Sequence, residues 1–308
     1  MIKVTNLSKT FISHTKEPGL KGSLKALIKR EKKSKLALKS VDLEIQQGEI
    51  IGLIGANGAG KTTLVKILSG IVHPTSGEAT VLGFKPWERH NEYRRQMSLI
   101  MGQKAQVWWD LPAMDSFILL KEIYQIPEKI FTDNVEFLAE TLMVKNHLTT
   151  QVRKLSLGER MKIELMAALL HRPKVIFLDE PTIGLDLSAQ RAVREFIKSY
   201  QKEFKPITIL TSHYMEDIKE LCPRIVIMKE GEFVYDGTLS QIQRLLGEEK
   251  SLSVTTKEKK FTISVPRSEL SKKTAELFST NEVLDLNIQD PSIEDIIESI
   301  MRNGMTNR

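Results

Sequence analysis

Three short stretches of the chain are apolar at nearly every position. "IIGLI" (50–54), "VIFL" (175–178) and "ITIL" (207–210) have the pattern of strands covered on both faces. Other stretches alternate apolar and polar positions. "MIKVTNLSKTF" at the start and "LALKSVDLEI" (36–45) predict two neighbouring strands, and "GEATVLG" (77–83) and "SLIMGQ" (98–103) predict two shorter ones. Residues 61–68 follow the first apolar run with helical spacing. Residues 113–150 are helical with polar interruptions and Pro127, and a further helix runs on from "LSLGER" (155–160) through "MKIELMAALLH". A small helical subdomain over about 104–170 is the expected result. Strands that alternate with helices predict an α/β fold with a mostly parallel sheet and a ligand at the carboxyl ends of its strands. Beyond Gly237 the rhythm changes: "SLSVTT", "KFTISV", a polar helix around 267–279, "VLDLNI" and "SIEDIIESIM" predict a small α+β appendage. The expected domains are therefore 1–240 and 241–308.

The first apolar run leads into "GANGAGKTT" (55–63), which fits the G-x-x-x-x-G-K-[ST] phosphate-binding loop. Gly55, Gly58 and Gly60 permit backbone angles that let successive N–H groups, those of Ala56, Asn57 and Ala59 among them, face one anion. The helix beginning at Lys61 adds its positive dipole end. Lys61 is expected to reach the β- and γ-phosphates, and the Thr62 hydroxyl, beside Thr63, to ligate Mg²⁺.

Composition sets limits. The chain has 308 residues, 41 % of them hydrophobic, enough for a substantial core. No apolar run approaches the roughly 18–20 residues that span a bilayer, and the first residues lack a signal-peptide core. The one cysteine, Cys222, excludes an internal disulfide, suits a reducing compartment and reads as a buried small residue. The net charge of +6 is local: Lys16–Lys39 holds nine Lys/Arg against two Glu, and the remainder is close to neutral. No broad nucleic-acid-binding face is expected.

Further candidate residues stand at predicted strand ends. Asp179 and Glu180 close "VIFLDE": Asp179 is suited to holding Mg²⁺, and Glu180 to orienting and deprotonating an attacking water. His213 follows "ITILTS" and is placed for a γ-phosphate contact. Gln103 follows "SLIMG", within reach of the metal or the lytic water, with Gln106 as a rival. Ser156 and Glu159 make a capping box for an ordinary helix start. Alternatively, Ser156, the Gly158 N–H and the helix dipole form a second anion site, which calls for a second nucleotide or a second subunit.

On these motifs, in this order, residues 1–240 are identified as resembling the nucleotide-binding subunits of ABC transporters. "GANGAGKTT" resembles Walker A, "VIFLDE" Walker B, "LSLGE" the signature, "TIGLD" the D-loop, and Gln103 and His213 the Q-loop and H-loop. The resemblance implies an ABC-type ATPase domain with a mostly parallel sheet, an antiparallel β subdomain and a helical subdomain. It implies ATP and Mg²⁺ as ligands, Phe11 stacked on adenine, and catalysis by Lys61, Gln103, Glu180 and His213. Metal ligation would fall to Thr62, Gln103 and Asp179. It also implies a head-to-tail dimer of two such domains, with Asp186 at its interface and Ser156 and Gly158 serving the other copy's ATP. Separate membrane permeases would be the further partners, and the chain would sit peripherally on the cytoplasmic face of the membrane. "GQKAQVWWDLP" and "PSIEDIIESIM" resemble bacterial type-two exporters in particular. The signature departs from the usual Leu-Ser-Gly-Gly-Gln at Leu157 and Glu159; a Glu near the γ-phosphate would weaken closure unless it caps its own helix. A soluble nucleic-acid or translation ATPase is disfavoured by the single cassette, and a non-hydrolysing scaffold by the intact Lys61, Asp179, Glu180 and His213.

Two features lie outside the motifs. The basic insert, 13–35, places Leu20, Leu24, Leu27 and Ile28 on one helical face with lysines around it, suited either to packing on its own domain or to a membrane surface. Trp108 and Trp109 are suited either to anchoring a membrane subunit or to core packing.

Overall fold

The computed structural model describes residues 1–15, 31–102, 105–245, 249–257, 259–280, 282–289, 293, 295–297 and 300. The chain divides into two units, Met1–Phe233 and Val234–Arg308.

In the first unit, β1 (Ile2–Thr15), β2 (Glu31–Ile45), β3 (Ile50–Gly55), α1 (Lys61–Leu68) and β4 (Ser76–Val81) come first. Strands β1, β2 and β4 form an antiparallel sheet in the order β2-β1-β4. Both strands of the leading pair run further than their alternation predicts: Ser13 pairs with Lys33 and Thr15 with Glu31. The ends of the basic insert are thus strand, so the insert is not a wholly separate element; its predicted helix lies outside the described residues. After β4 come α2 (Asn91–Arg94), β5 (Met97–Met101), α3 (Ala113–Tyr124), α4 (Glu128–Thr141) and α5 (Leu157–Leu169). They are followed by β6 (Val175–Asp179), α6 (Leu187–Phe204), β7 (Ile207–Thr211), α7 (Met215–Leu221), β8 (Arg224–Lys229) and β9 (Glu232–Thr238), within which the first unit gives way to the second.

The larger sheet has the order β5-β6-β7-β3-β8-β9, and every pair from β5 to β8 is parallel. All residues of β3, β6 and β7 are buried, as their continuous apolar runs require. One core cluster joins the two sheets. It brings Ile2, Leu38 and Ile45 together with Leu53, Phe177 and Ile209, and Leu64, Val65, Ile67 and Leu68 of α1 belong to it. Each such fully buried side chain is worth about 1.5–3 kcal/mol, so α1 is held by both sheets and its first residue is fixed in place. The register aligns Asp179 of β6 with Thr211 of β7, and Thr211 with Leu53 of β3. Three neighbouring strands therefore end side by side, at the carboxyl edge where an open α/β sheet takes its ligand.

Helices α3, α4 and α5 bury Phe117, Leu138 and Met166 among others. Trp108 and Trp109 are 45 % and 48 % exposed, so simple core packing does not describe either. The Arg160 guanidinium lies 4.8 Å from the centroid of the Trp109 ring. Cys222 is buried, as expected, and burial raises its thiol pKa.

In the second unit, α8 (Leu239–Leu245) precedes β10 (Glu249–Thr256), β11 (Lys260–Pro266), α9 (Leu270–Thr280) and β12 (Val283–Gln289). Its antiparallel sheet has the order β11-β10-β12, with Leu252, Val254, Val265 and Leu277 as its core. Of "SIEDIIESIM", only part falls among the described residues. No helix of the described residues is long and apolar enough to cross a membrane.

Candidate functional site

The loop between β3 and α1 owes its shape to its glycines. Gly58 and Gly60 have φ of 82° and 116°, in the left-handed region that strains other residues. A Cβ at Gly60 would stand 2.7 Å from the Ala37 carbonyl oxygen of β2. Lys61, the first residue of α1, is buried, and its ammonium donates to the carbonyls of Gly55 (2.5 Å) and Ala56 (3.2 Å). Burial lowers the pKa of this amine, while the charges of Glu180 and Asp179 act to raise it. An ammonium folded onto its own loop in this way is a donor in reserve: an anion arriving in the loop can replace the two carbonyls as its partners.

Asp179 meets this loop from β6. Its carboxylate accepts from the Thr211 hydroxyl at 2.7 Å and stands 3.3 Å from the Thr62 hydroxyl. Hydroxyl and carboxylate oxygens are the hard donors that suit Mg²⁺. Among the described residues no group of three or more His, Cys, Asp or Glu could hold a metal ion, so the remaining ligands of a cation here would be other oxygens, from hydroxyl, amide, water or phosphate. Glu180 adopts φ 57°, unusual for a residue with a side chain, and its N–H donates to the Thr211 carbonyl at 3.0 Å. From this turn its carboxylate lies 2.7 Å from His213 Nε2. Gly102, just before Gln103, closes against the same turn: its N–H donates to the Asp179 carbonyl at 2.9 Å, and a Cβ would stand 2.2 Å from the Glu180 carbonyl oxygen. A side chain there is excluded, a constraint visible in the sequence only as a glycine at a strand end.

Phe11, Lys35, Lys61, Thr62, Thr63 and Glu180 line a cavity of 170 Å³, together with Asn57, Gly58, Ala59 and Gly60. Phe11 is 40 % exposed, with the Lys9 ammonium 5.0 Å from its ring centroid, and it pairs across the strands with Lys35. Lys35 was not singled out in the sequence, because it is one lysine in a run of them. Ser156 and Gly158 do not line this cavity. They open α5, where Glu159 turns back on its own helix, accepting from the Ser156 N–H and hydroxyl, both at 2.8 Å. Those two bonds, with His147 nearby, lower the Glu159 pKa. Its charge is thus spent on the cap. Asp186 caps α6, accepting from the Ala189 N–H at 2.8 Å. Gln103 lies outside the described residues. Gln106 is engaged elsewhere: its side chain donates to the Leu99 carbonyl at 2.8 Å.

A buried network beneath the site also went unread. Asp217, fully buried on α7, accepts from Ser212 Oγ (2.7 Å), from Thr182 Oγ1 and from Arg194 Nη1 (3.0 Å). It joins the loop after Glu180 to the loop that carries His213. Its sequence signal was slight, an acidic residue four positions past His213. Asp217→Ala leaves the buried Arg194 paired with Glu220 alone (Nε–Oε1 3.1 Å) and removes the acceptor of Ser212 and Thr182, so it should cost about 1–3 kcal/mol, measured as the change in urea unfolding free energy. A loss below about 1 kcal/mol would show that the network is dispensable.

A loop of this kind between a buried strand and a helix, with acids at the end of a second buried strand one place removed in the sheet, defines the phosphate-loop nucleotide hydrolases. The comparisons narrow the class. The "ABC transporter" family model matches residues 38–183. The chain is 30 % identical to the ABC transporter ATP-binding protein NatA of Bacillus subtilis over 212 residues, 69 % of this chain and 86 % of that protein. It is 34 % identical to ABC transporter A family member 8 of Dictyostelium discoideum, covering 74 % of this chain but only 27 % of that much longer protein. Among solved structures, an ATP-binding subunit of an ABC transporter aligns with TM-score 0.65 and 24 % identity over 80 % of this chain and 93 % of its own. A dimeric bacterial ABC transporter cassette aligns with TM-score 0.62 and 22 % identity over 77 % of this chain and 98 % of its own. The chain belongs to the ABC transporter ATP-binding proteins, a family of ATP-hydrolysing cassettes.

Proposed function

We propose that this chain powers export through separate membrane permease subunits, to which it binds at the cytoplasmic face of the membrane. The observation that carries the reading is the meeting of Lys61, Thr62, Asp179, Glu180 and His213 beside one cavity at the ends of β3, β6 and β7. In this reading Phe11 stacks on adenine, and Lys61 leaves the Gly55 and Ala56 carbonyls for the β- and γ-phosphates. The N–H groups of the loop from Gly55 to Thr63 cradle the same phosphates. Thr62 and Asp179, with Gln103, would hold Mg²⁺, which neutralises phosphate charge when bound. Glu180 takes the proton of the attacking water, and His213 positions the Glu180 carboxylate and contacts the γ-phosphate. Ser156 and Gly158 serve the nucleotide of a second copy or of a homologous subunit, since they stand apart from this cavity. Exposed Trp108 and Trp109 suit contact with a permease. Export in particular is supported by the likeness of the Trp-containing segment and the C-terminal segment to type-two exporters.

The test is copurification with an activity measurement. The tagged chain, drawn from detergent-solubilised membranes, should bring integral membrane proteins with it and hydrolyse ATP with Mg²⁺ but not with EDTA. Recovery of ribosomes or nucleic acid and no membrane protein would overturn the transport reading in favour of a soluble ATPase.

A further inference from the structure

Glu164 lies on α5, eight positions past Ser156, and is 5 % exposed. Its Oε2 accepts from the Gln106 N–H at 2.7 Å, and the Val107 N–H also bonds its carboxylate. Its Oε1 is buried without a hydrogen-bond partner. A buried acid with one oxygen unpaired is a poor choice for stability alone, since an apolar residue of similar size would commonly serve as well. What it holds is informative. Gln106 and Val107 belong to the segment that leaves β5 just after Gln103. Gln106 also reaches the opposite way, its side-chain amide donating to the Leu99 carbonyl of β5. One residue thus bridges the parallel sheet and α5. Arg160, one turn before Glu164, adds a second tie through its stacking on Trp109.

We propose that Glu164 is a positioning residue: its carboxylate fastens the segment following Gln103 to α5, so that this segment and the helix bearing Ser156 move together. The consequence for turnover rests on the ATPase reading above, but the tie itself does not. Burial raises the Glu164 pKa to about 7, against the opposing pull of the two N–H groups and of Arg160. Arg160 is the one charged side chain found to act on it among the described residues; the segment from 105 to 109 presents it with backbone N–H groups. The sign follows. A carboxyl that titrates at 4.5 unfolded and about 7 folded imposes no cost below 4.5, an increasing cost as pH rises, and its full cost above about 7. The fastened state is the ionised one, so the tie tightens across the same interval in which stability falls.

The experiment uses the full chain and the near-isosteric Glu164→Gln. Hydrogen exchange at the Gln106 and Val107 amides, normalised to intrinsic rates, should show protection that rises through about pH 7 in the parent and stays level in the variant. In ATP hydrolysis, Glu164→Gln should lower kcat by about 2- to 30-fold at pH 8, with KM for ATP unchanged, and the ratio of parent to variant kcat should fall towards one below pH 6. Gln106→Ala, which cuts only the link to Leu99, should lower kcat while leaving the pH dependence of amide protection intact. Identical amide protection in parent and Glu164→Gln at every pH would overturn the proposal. A changed KM with an unchanged pH profile would also overturn it, by assigning the residue to nucleotide binding. If the parent hydrolyses no ATP, the functional reading fails, and the exchange measurement still decides the tie.

Discussion

Glu180→Gln should lower ATP hydrolysis by about 10²–10⁴ while ATP binding survives. The carboxylate is held rather than free: the Glu180 N–H is anchored on Thr211, its φ is 57°, and its Oε1 lies 2.7 Å from His213 Nε2. Glutamine keeps the size and the backbone turn but cannot take a proton from water. Lys61, Thr62 and Asp179 are untouched, so nucleotide should still bind. If ATP closes two copies into a dimer, as proposed above, blocked hydrolysis leaves that dimer no route back, and the variant should elute as a dimer in gel filtration with ATP and as a monomer without it. Turnover within a few-fold of the parent would remove Glu180 from the proton transfer and shift attention to Gln103 and His213.

Lys61→Ala should act at the other end of the reaction coordinate, on phosphate binding and on charge that develops in the transition state. Loss of one preorganised donor of this kind typically costs about 10²–10³ in kcat. The structure adds a second, opposing expectation. Burial disfavours the charged amine, and its lowered pKa means that protonated Lys61 costs folding energy below that pKa, a cost relieved as pH rises past it. The variant escapes this cost at neutral pH, so its nucleotide-free Tm should not fall far, although the Gly55 and Ala56 carbonyls lose a donor. The effect should appear on adding MgATP. A ligand at 100 times its Kd stabilises by about 2.7 kcal/mol, and most of that gain should vanish in Lys61→Ala. A thermal shift with MgATP equal to the parent's would show that Lys61 is not a phosphate ligand.

Legibility followed the range of the interaction that makes each feature. The phosphate loop was readable because all its requirements are local: a buried strand, glycines at left-handed positions and a helix beginning at Lys61 fall within about fifteen residues. Strands β3, β6 and β7 were readable because burial on both faces leaves a continuous apolar run. Strand β8 carries such a run too, but its flanks show none of the chemistry that marks the others, so the run alone does not announce a strand. The spatial order, with β3 between β7 and β8, comes from pairing across the chain and leaves no local trace. The same holds for the Asp217 network, for Glu164 and for Lys35, whose partners are brought to them only by the fold. The ends of the insert were illegible for a different reason: Lys33 and Ser34 carry no strand pattern of their own and sit in a strand because Ser13 and Ile12 offer them a ladder.

The parts of the site are far apart in the chain, and this constrains when the site can first exist during synthesis. Thr62 and Asp179 are separated by 117 positions, and Asp179 and Thr211 by 32. Until β7 has been made, β3 and β6 lack the strand that lies between them, and a nascent chain ending before Thr211 has no Asp179 carboxylate fixed against the loop. From Phe233 onward, however, every residue of the first unit is present, while about 75 residues of the second are still to be added. At roughly 5–20 residues per second this leaves at most about 4–15 s before Arg308 is joined, less the time β7 and β8 take to clear the ribosome. In that interval a cellular concentration of nucleotide can bind the newly closed site and pull its folding forward by mass action. The order of the two units thus gives the catalytic unit a head start, with its own substrate available as a folding ligand.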